Sequence, residues 1–442
     1  MNELPFELVD KIFNYLDGLS LAKSKGVCRK WRDLHDQHNY NVLWRKVCLT
    51  EIPKDVLVEI LGYTKKDLLE HLEHKEAEVS CWKEVYKEWH RSRFIGKWPT
   101  MCLELKGHSS GPVYDAKISG DRVVTCGEDC TVRIWDAWTG CCLKTFQGHE
   151  HRVICLALRR KPGVSLHHDK PHDLIVSGSD DCTVCIWHMD DPGVRVKRLV
   201  HHASPINCVA IQRNIVVAAL TEGSVAVWDF ELNDSEILFR INSIDWVRYV
   251  GLLNDAVLTV TEKNILDLWS LSTGESLVSE VDFHHKEGIC QAASRGDTTL
   301  ALSRCGKLVA WQHAYGVKSD LRTSVLRNYK IIGPGAAGVQ RGKCLAFSGC
   351  LVAIGTEIGP IYVYHLEKNW DNQFQKVHTI IHSGSTAPNS VALGDDGTGP
   401  MLLTAGNDGI ARVHRWFPFS ATNLAVHVKS DDSTKIPLCD QT

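Results

Sequence analysis

Two sets of side chains in this sequence have the composition of a hydrolytic triad. His108, Thr125 and Asp129 make one, and His149, Ser177 and Asp181 make the other. A histidine can take a proton from a hydroxyl while a carboxylate orients its ring, so such a trio can generate a nucleophile. Each set, however, stands beside a tryptophan, Trp135 or Trp187, and the arrangement recurs in successive stretches of chain. A trio repeated beside the same aromatic reads as a structural hydrogen-bond group, because a buried carboxylate, imidazole and indole N–H need one another to be satisfied. Cys182 and Cys185 give a CxxC spacing inside CTVCIW. On a strand, positions i and i+3 face opposite sides, so a packed strand is expected there and not a zinc site. Adjacent residues rarely chelate one metal unless on a loop, so the neighbouring pairs His167-His168, His201-His202 and His284-His285 are not expected to hold one. The run from Gly333 to Gly342 lacks a Gly-Lys-Ser/Thr ending and reads as a flexible connection, not a phosphate loop. The terminal CDQT lacks the aliphatic residues that prenylation requires. No catalytic residue, no metal and no cofactor is expected.

Bulk properties exclude further classes. The chain has 442 residues, room for about two to four domains. Hydrophobic residues are 44% and charged residues 23%, an ordinary globular balance. A net charge of -3 provides no basic field, so nucleic acid is not an expected partner. No apolar run reaches about eighteen residues, so no membrane span is expected. The opening MNELPFELVD lacks the basic-then-apolar order of a secretory signal. The 17 cysteines are accordingly expected to be reduced, packed as small hydrophobes in a cytoplasmic and/or nuclear protein.

A repeat must position these groups. Short apolar-alternating runs end in Trp135, Trp187, Trp228, Trp269, Trp311 and Tyr364, with ARVH ending in His414, at spacings of 52, 41, 41, 42, 53 and 50. An aliphatic residue lies 22 positions before the aromatic in four units, namely Val113, Ile206, Val247 and Ile289. Val153 lies 34 before Trp187, the extra twelve matching a loop-like insertion from Lys161 to His172. A unit of this length with several alternating strands is a propeller blade, whose two faces are buried only when blades stand side by side in a ring. Tryptophan at the strand end then fills the space between blades.

At this point the chain resembles the WD-repeat family, from about residue 101 to 416. Gly107-His108, Thr125, Asp129 and Trp135-Asp136 carry the signature in the first blade, and Gly148-His149, Ser177, Asp181 and Trp187 in the second. The resemblance implies that His, Ser/Thr, Asp and Trp form one hydrogen-bonded set within each of these blades. Later blades depart from it, with Glu222, Lys263, Cys305 and Ile358 at the Asp position and Asp408 restoring it in the seventh. CLELKGH resembles CLKTFQGH, so residues 101 to 106 are expected to be an outer strand that completes blade seven and removes its unpaired edge. TNLAVHV (422–428) could compete for that edge.

In the N-terminal part, Val9, Ile12, Phe13 and Leu16 follow helical spacing. Gly18 is expected to end this helix and Ser20 to cap the next. Val27, Cys28, Trp31 and Leu34 give a second stripe, and Leu43, Trp44 and Val47 a third. LPFEL, IFNYL, VCRKW and LW, in this order and spacing, are similar to the F-box. That resemblance implies docking to the Skp adaptor and, through it, a cullin ligase, with Leu4, Pro5, Leu8, Ile12, Phe13, Leu16 and Trp31 matching the interface pattern; interface and core are not separable from sequence. Residues 49–98 read as a helical linker, with Leu57, Ile60, Leu61 and Tyr63 on one face and Trp82, Val85, Tyr86 and Trp89 on another. The expected fold is therefore multidomain α plus all-β: an F-box over 1–48, the linker, a seven-bladed WD-repeat β-propeller over 99–420 and a polar tail over 421–442. The early start of the F-box leaves no room for a dimerisation segment, so no homo-oligomer is expected.

F-box plus WD repeats resembles the substrate receptors of SCF (Skp-cullin-F-box) ubiquitin ligases, which implies a non-catalytic subunit whose propeller holds a target protein. In that family, the residue after the opening aliphatic and the residue before the turn Asp line the channel mouth. The first column reads Tyr114, Ile154, Asn207, Arg248 and Cys290, and the second Glu128, Asp180, Thr221, Glu262, Arg304, Glu357 and Asn407. Of these, Tyr114, Glu128, Asp180, Asn207, Arg248, Glu262, Arg304 and Glu357 are the candidate target contacts. Two arginines among four acids suit a basic or unmodified segment better than a phosphorylated one. A WD-repeat scaffold outside any ligase is the alternative reading.

Overall fold

The computed structural model describes residues 6–35, 40–52, 57, 82–93, 95, 98, 100–109, 111–160, 172–190, 195–200, 204–231, 237–243, 245–253, 256–263, 265–278, 288–295, 298–315, 321–330, 334–335, 338–339, 341–348, 351–365, 375–380, 387–396 and 399–416. Leu4, Pro5, Ile60, Leu61, Tyr63, the three histidine pairs, the insertion up to residue 171 and TNLAVHV lie outside the described residues.

The N-terminal part is helical. Helices α1 (Phe6–Phe13), α2 (Gly18–Ser24), α3 (Arg29–His35) and α4 (Tyr40–Glu51) precede α5 (Trp82–Ser92). The α2 cap is not Ser20 but Asp17: an extended backbone lets its carboxylate accept the Ser20 N–H at 2.7 Å, satisfying one of the orphan donors of the first turn. Val9, Phe13, Leu21, Leu43, Trp44, Val47, Trp82, Val85, Tyr86 and Trp89 close into one apolar core that joins the first four helices to α5. Glu51 ties the same elements together, accepting from Gly18 N at 2.7 Å and from the Tyr86 hydroxyl at 2.8 Å. The α2 backbone passes so close to this ring that a Cβ on Gly18 would lie 2.2 Å from Tyr86, so any larger residue would have to displace the ring.

Among the described residues, seven four-stranded antiparallel sheets follow, the blades of a propeller. Their innermost strands are Val113–Ser119, Val153–Arg160, Ile206–Gln212, Val247–Leu253, Ile289–Arg295, Gly342–Ser348 and Pro388–Asp395. An apolar cluster fills each of the seven blade-to-blade interfaces. Trp135, Trp187, Trp228, Trp311 and Tyr364 each pack against the preceding blade. The sheets thus bury both faces, and their middle strands read as continuous apolar runs.

Strand Thr100–Leu105 pairs antiparallel with Ala411–Trp416, from Thr100↔Trp416 to Leu105↔Ala411, and supplies the fourth strand of blade 7. Arg412 adds a side-chain tie across this closure, to Glu104 at 3.2 Å and Asp408 at 2.7 Å. The glycine-rich run after residue 333 is not only a connection, since Pro334–Gly335 pairs with Gly338–Val339 and Gly342 opens the inner strand of blade 6.

The stalk meets the ring at one end of blade 7. Ile95 is buried as part of the apolar cluster between blades 6 and 7, and Trp98 packs against that cluster; Arg91 pairs with Asp395 at 3.5 Å. Asp395 pairs in register with Pro400, next to the turn joining the first two strands of blade 7. That turn lies at the opposite end of the blade from Asn407 and from every residue of the second column.

Candidate functional site

In blades 1 and 2 the triad-like residues come together as hydrogen-bonded groups. His108 Nδ1 lies 2.9 Å from Asp129 and its Nε2 2.8 Å from the Thr125 hydroxyl, which also accepts from Trp135 Nε1 at 2.8 Å. His149 repeats this with Asp181 at 2.9 Å and Ser177 at 2.8 Å, and Trp187 Nε1 donates to Ser177 at 2.9 Å. Thr125 and Ser177 are sealed from solvent, so neither hydroxyl can reach a substrate. The Ser177 hydroxyl donates to the Cys185 carbonyl at 3.5 Å, leaving its oxygen to accept from both Trp187 and a protonated His149. Blade 4 keeps only the Thr259–Trp269 contact, at 3.1 Å. Cys182 sits in the turn before strand Thr183–His188 and Cys185 is buried within that strand.

Burial alone would raise the Asp181 carboxyl, but hydrogen bonds from His149, Thr183 and the Glu150 N–H hold it well below the ordinary range. Burial would likewise lower His149, yet its bonds to Asp181 and the Cys185 sulfur raise it to about 9 from 6.5. A histidine raised on folding contributes stability that is complete below its unfolded value and is lost as pH rises through its folded value. Thermal stability is therefore expected to decline between pH 6.5 and about 9, by up to about 3 kcal/mol from this residue. Asp181 adds stability above the ordinary carboxylate range and loses it as pH falls through its depressed value. Imidazole NMR titration checks the first point: His149 should titrate near pH 9, and at lower pH in Asp181→Asn, where only the Cys185 sulfur is left to oppose burial.

The same turns hold a conformational penalty. Cys130 and Cys182 occupy the left-handed region, with φ of 59° and 62°, where blades 3, 5, 6 and 7 place Gly223, Gly306, Gly359 and Gly409. Replacing either cysteine with glycine removes a Cβ clash at some loss of chain entropy, for a net gain of about 0.5–1 kcal/mol each. Chemical denaturation of Cys130→Gly and Cys182→Gly checks this, with a higher midpoint expected for both.

At the mouth of the ring, every innermost strand slips register at its second residue, between Val113/Asp115, Val153/Cys155, Ile206/Cys208, Val247/Tyr249, Ile289/Gln291, Gly342/Cys344 and Pro388/Ser390. The bulged residues are Tyr114, Ile154, Asn207, Arg248 and Cys290, followed by Lys343 and Asn389. A bulge re-aims the extra side chain, here repeated around the whole ring. The second column stands beside the first. The N–H groups of Glu128, Asp180, Thr221, Glu262, Arg304 and Glu357 donate to the carbonyls of Pro112, Arg152, Pro205, Trp246, Gly288 and Arg341.

These acceptors form a third column that the sequence reading missed, although for Pro112, Arg152, Pro205, Trp246 and Gly288 its place one residue before the opening aliphatic could have exposed it. It adds Arg152, Trp246 and Arg341 to the rim. The columns are cross-linked. Tyr114 donates to Glu128 at 2.5 Å, Arg152 pairs with Asp180 at 2.5 Å, and Arg248 and Arg304 share Glu262 at 2.8 and 2.6 Å. Asn207 and Asn389 donate to the Val247 and Val113 carbonyls of the following blades at 2.5 and 3.0 Å. The rim is thus a pre-organised surface of mixed charge, with Trp246 46% exposed and Ile358 62% exposed on it.

At the other end of the molecule, α1 divides the residues that sequence could not. Phe13 is core, 1% exposed and edge-to-face with Trp31 at 4.9 Å, and Leu16 and Trp31 pack partly buried against that core. Leu8 and Ile12, one turn apart on the other face, are 45% and 38% exposed. Tyr15, Leu19, Val27 and Val42 are further exposed apolar residues of this part, and none of them was among the expected contacts. No described helix is long and apolar enough to cross a membrane.

Known proteins match both ends. A family model described as F-box-like covers residues 1–50, and one described as WD domain, G-beta repeat covers residues 100–136 and 140–188. The chain is 31% identical over 154 residues to F-box/WD repeat-containing protein 7 of Drosophila melanogaster, covering 33% of this chain and 11% of that protein. It is 24% identical over 291 residues to Cell division control protein 4 of Saccharomyces cerevisiae, covering 52% and 36%. The chain therefore spans only a minor part of the length of these curated relatives. Among solved structures, the WD40 β-propeller domain of Doa1 aligns with a TM-score of 0.54 at 14% identity, covering 71% of this chain and 95% of that one, a likeness of fold alone. With an F-box-like segment at its N-terminus and WD40 blades closed in a ring of seven, the chain is similar at both ends to F-box/WD-repeat proteins.

Proposed function

We propose that this chain is the substrate-recognition subunit of an SCF-type ubiquitin ligase. The exposed residues of α1 seat in a Skp adaptor, which links to a cullin, and the propeller rim holds the target protein. The chain itself catalyses nothing; it raises the local concentration of target beside a partner enzyme that transfers ubiquitin. The observation that carries this reading is the placement of its two surfaces. The stalk enters the ring at one end of blade 7, and the three-column rim occupies the other end. The core shared by α1–α5, with the contacts of Arg91, Ile95 and Trp98 on the ring, supports a fixed relation between the two surfaces, as transfer to a positioned target requires. We place the activity in the cytoplasm and/or nucleus and read the receptor as a monomer.

Affinity purification of the whole chain, beside a version lacking residues 1–48 and with the proteasome inhibited, tests the proposal. Adaptor and cullin should be lost with the deletion while rim-bound targets remain. Absence of the adaptor from the full-length purification would leave a WD-repeat scaffold acting outside a ligase.

A further inference from the structure

Blades 4 and 5 bring two guanidinium groups to one point on the rim. Arg248 Nη2 lies 2.8 Å from Glu262 Oε2, and Arg304 Nη2 lies 2.6 Å from Glu262 Oε1. Arg248 is braced from behind: its guanidinium lies over the Trp246 ring, 4.8 Å from the centroid, and the Trp246 indole N–H donates to the Thr221 carbonyl. The backbone of Glu262 is fixed as well. Its N–H donates to the Trp246 carbonyl at 2.8 Å, and its carbonyl accepts from Ile289 of the next blade at 3.2 Å. Gly288 passes so close that a Cβ there would lie 2.6 Å from that carbonyl.

Two converging guanidinium groups make a cradle for an oxyanion, because their forked N–H donors match its oxygens and their charge attracts it. Here the cradle already holds an oxyanion from the same chain, with one carboxylate oxygen given to each arginine. Arg248 Nε is buried and has no hydrogen-bond partner among the described residues, so the carboxylate does not use every donor. Arg152 is held in the same manner by Asp180 at 2.5 Å.

We infer that Glu262 is an internal ligand that fills this cradle and makes the rim select against phosphorylated and other dianionic side chains. Such a group must compete with Glu262 for Arg248 and Arg304, and it meets the repulsion of a fixed carboxylate while doing so. A target segment without a dianion meets no such barrier. The inference rests on the reading of the rim as the target-binding surface, but its test uses no component of a ligase.

The experiment is calorimetric titration of the full-length chain with inorganic phosphate and with phenyl phosphate. Glu262→Gln keeps the shape and removes the charge. It is expected to bind both probes at least about tenfold more tightly than the wild type, and Glu262→Gln/Arg304→Ala should lose that gain. Glu262→Asp, which withdraws the carboxylate by one methylene, should move in the same direction by less and serves if the glutamine variant does not fold. Wild-type binding as tight as that of the variants, or a gain that survives Arg304→Ala, would overturn the assignment, as would no gain in either variant. Loss of the adaptor from the purification above would remove the ligase reading and leave this result standing.

Discussion

Replacing Leu8 and Ile12 together with glutamate is expected to abolish binding to the proposed adaptor, a loss of at least about 4 kcal/mol or a thousandfold in affinity. Each side chain would otherwise remove apolar surface from water at the interface, and a carboxylate in its place would have to be desolvated without a partner. The fold should tolerate the change, because both positions are substantially exposed in the free chain, and such substitutions usually move stability by less than about 0.5 kcal/mol. Phe13→Ala is the contrasting variant. Phe13 is buried against Trp31 and the α4–α5 core, so its truncation should lower stability by about 3–5 kcal/mol. Surface plasmon resonance against a purified Skp adaptor, with circular dichroism on the same samples, separates the two effects. Retained binding by Leu8→Glu/Ile12→Glu would show that α1 docks through another face or does not dock.

The second large effect is expected at Asp115, the position after the bulge in blade 1. Its carboxylate accepts from Lys117 Nζ at 2.9 Å, from Leu156 N of blade 2 at 2.9 Å and from the Ser390 hydroxyl of blade 7 at 2.7 Å. One side chain thus fastens the first blade to both neighbours beside the point where the ring closes. Burial alone would lower Lys117, and Asp115 overcomes it and keeps the ammonium charged. Asp115→Ala would leave that charge, a buried N–H and a buried hydroxyl without an acceptor, at a cost of about 3–5 kcal/mol. Asp115→Asn retains an acceptor and should lose less. Thermal unfolding of Asp115→Ala, Lys117→Met and the double variant checks the argument. The double variant should recover part of the single loss, since it no longer holds an unpaired ammonium. Strict additivity would contradict the coupling.

The propeller was legible because its period is a packing requirement. A blade cannot bury both faces alone, so each of Trp135, Trp187, Trp228, Trp269, Trp311 and Tyr364 marks a strand that must meet a neighbour, and their spacing counts the blades. The opening aliphatics mark innermost strands for the same reason, whereas likeness to its counterpart in blade 1 made CLELKGH the expected closing strand with TNLAVHV as a rival, and the pairing of Thr100–Leu105 with Ala411–Trp416 decided it. The α2 cap was misread because Ser20 and Asp17 are both acceptable caps, and only the extended backbone at Asp17 selects one. The rim was half legible. Two columns followed from register, but the third holds Pro112, Pro205 and Gly288 as well as Arg152, Trp246 and Arg341, and a column of such mixed chemistry has no compositional signature.

By itself the sequence determined the kinds of element, their order and the number of blades, because hydrophobic period and turn chemistry are local properties of the chain. Only the tertiary structure decided which face of α1 is core and which is exposed, since helical spacing places Ile12 and Phe13 on one broad stripe and the packing of Phe13 against Trp31 chooses between them. Only it decided that Arg248 and Arg304 share one glutamate. That contact joins residues 42 positions apart on different blades, and the packing of blade 5 against blade 4 brings them together where nothing local in the sequence records it.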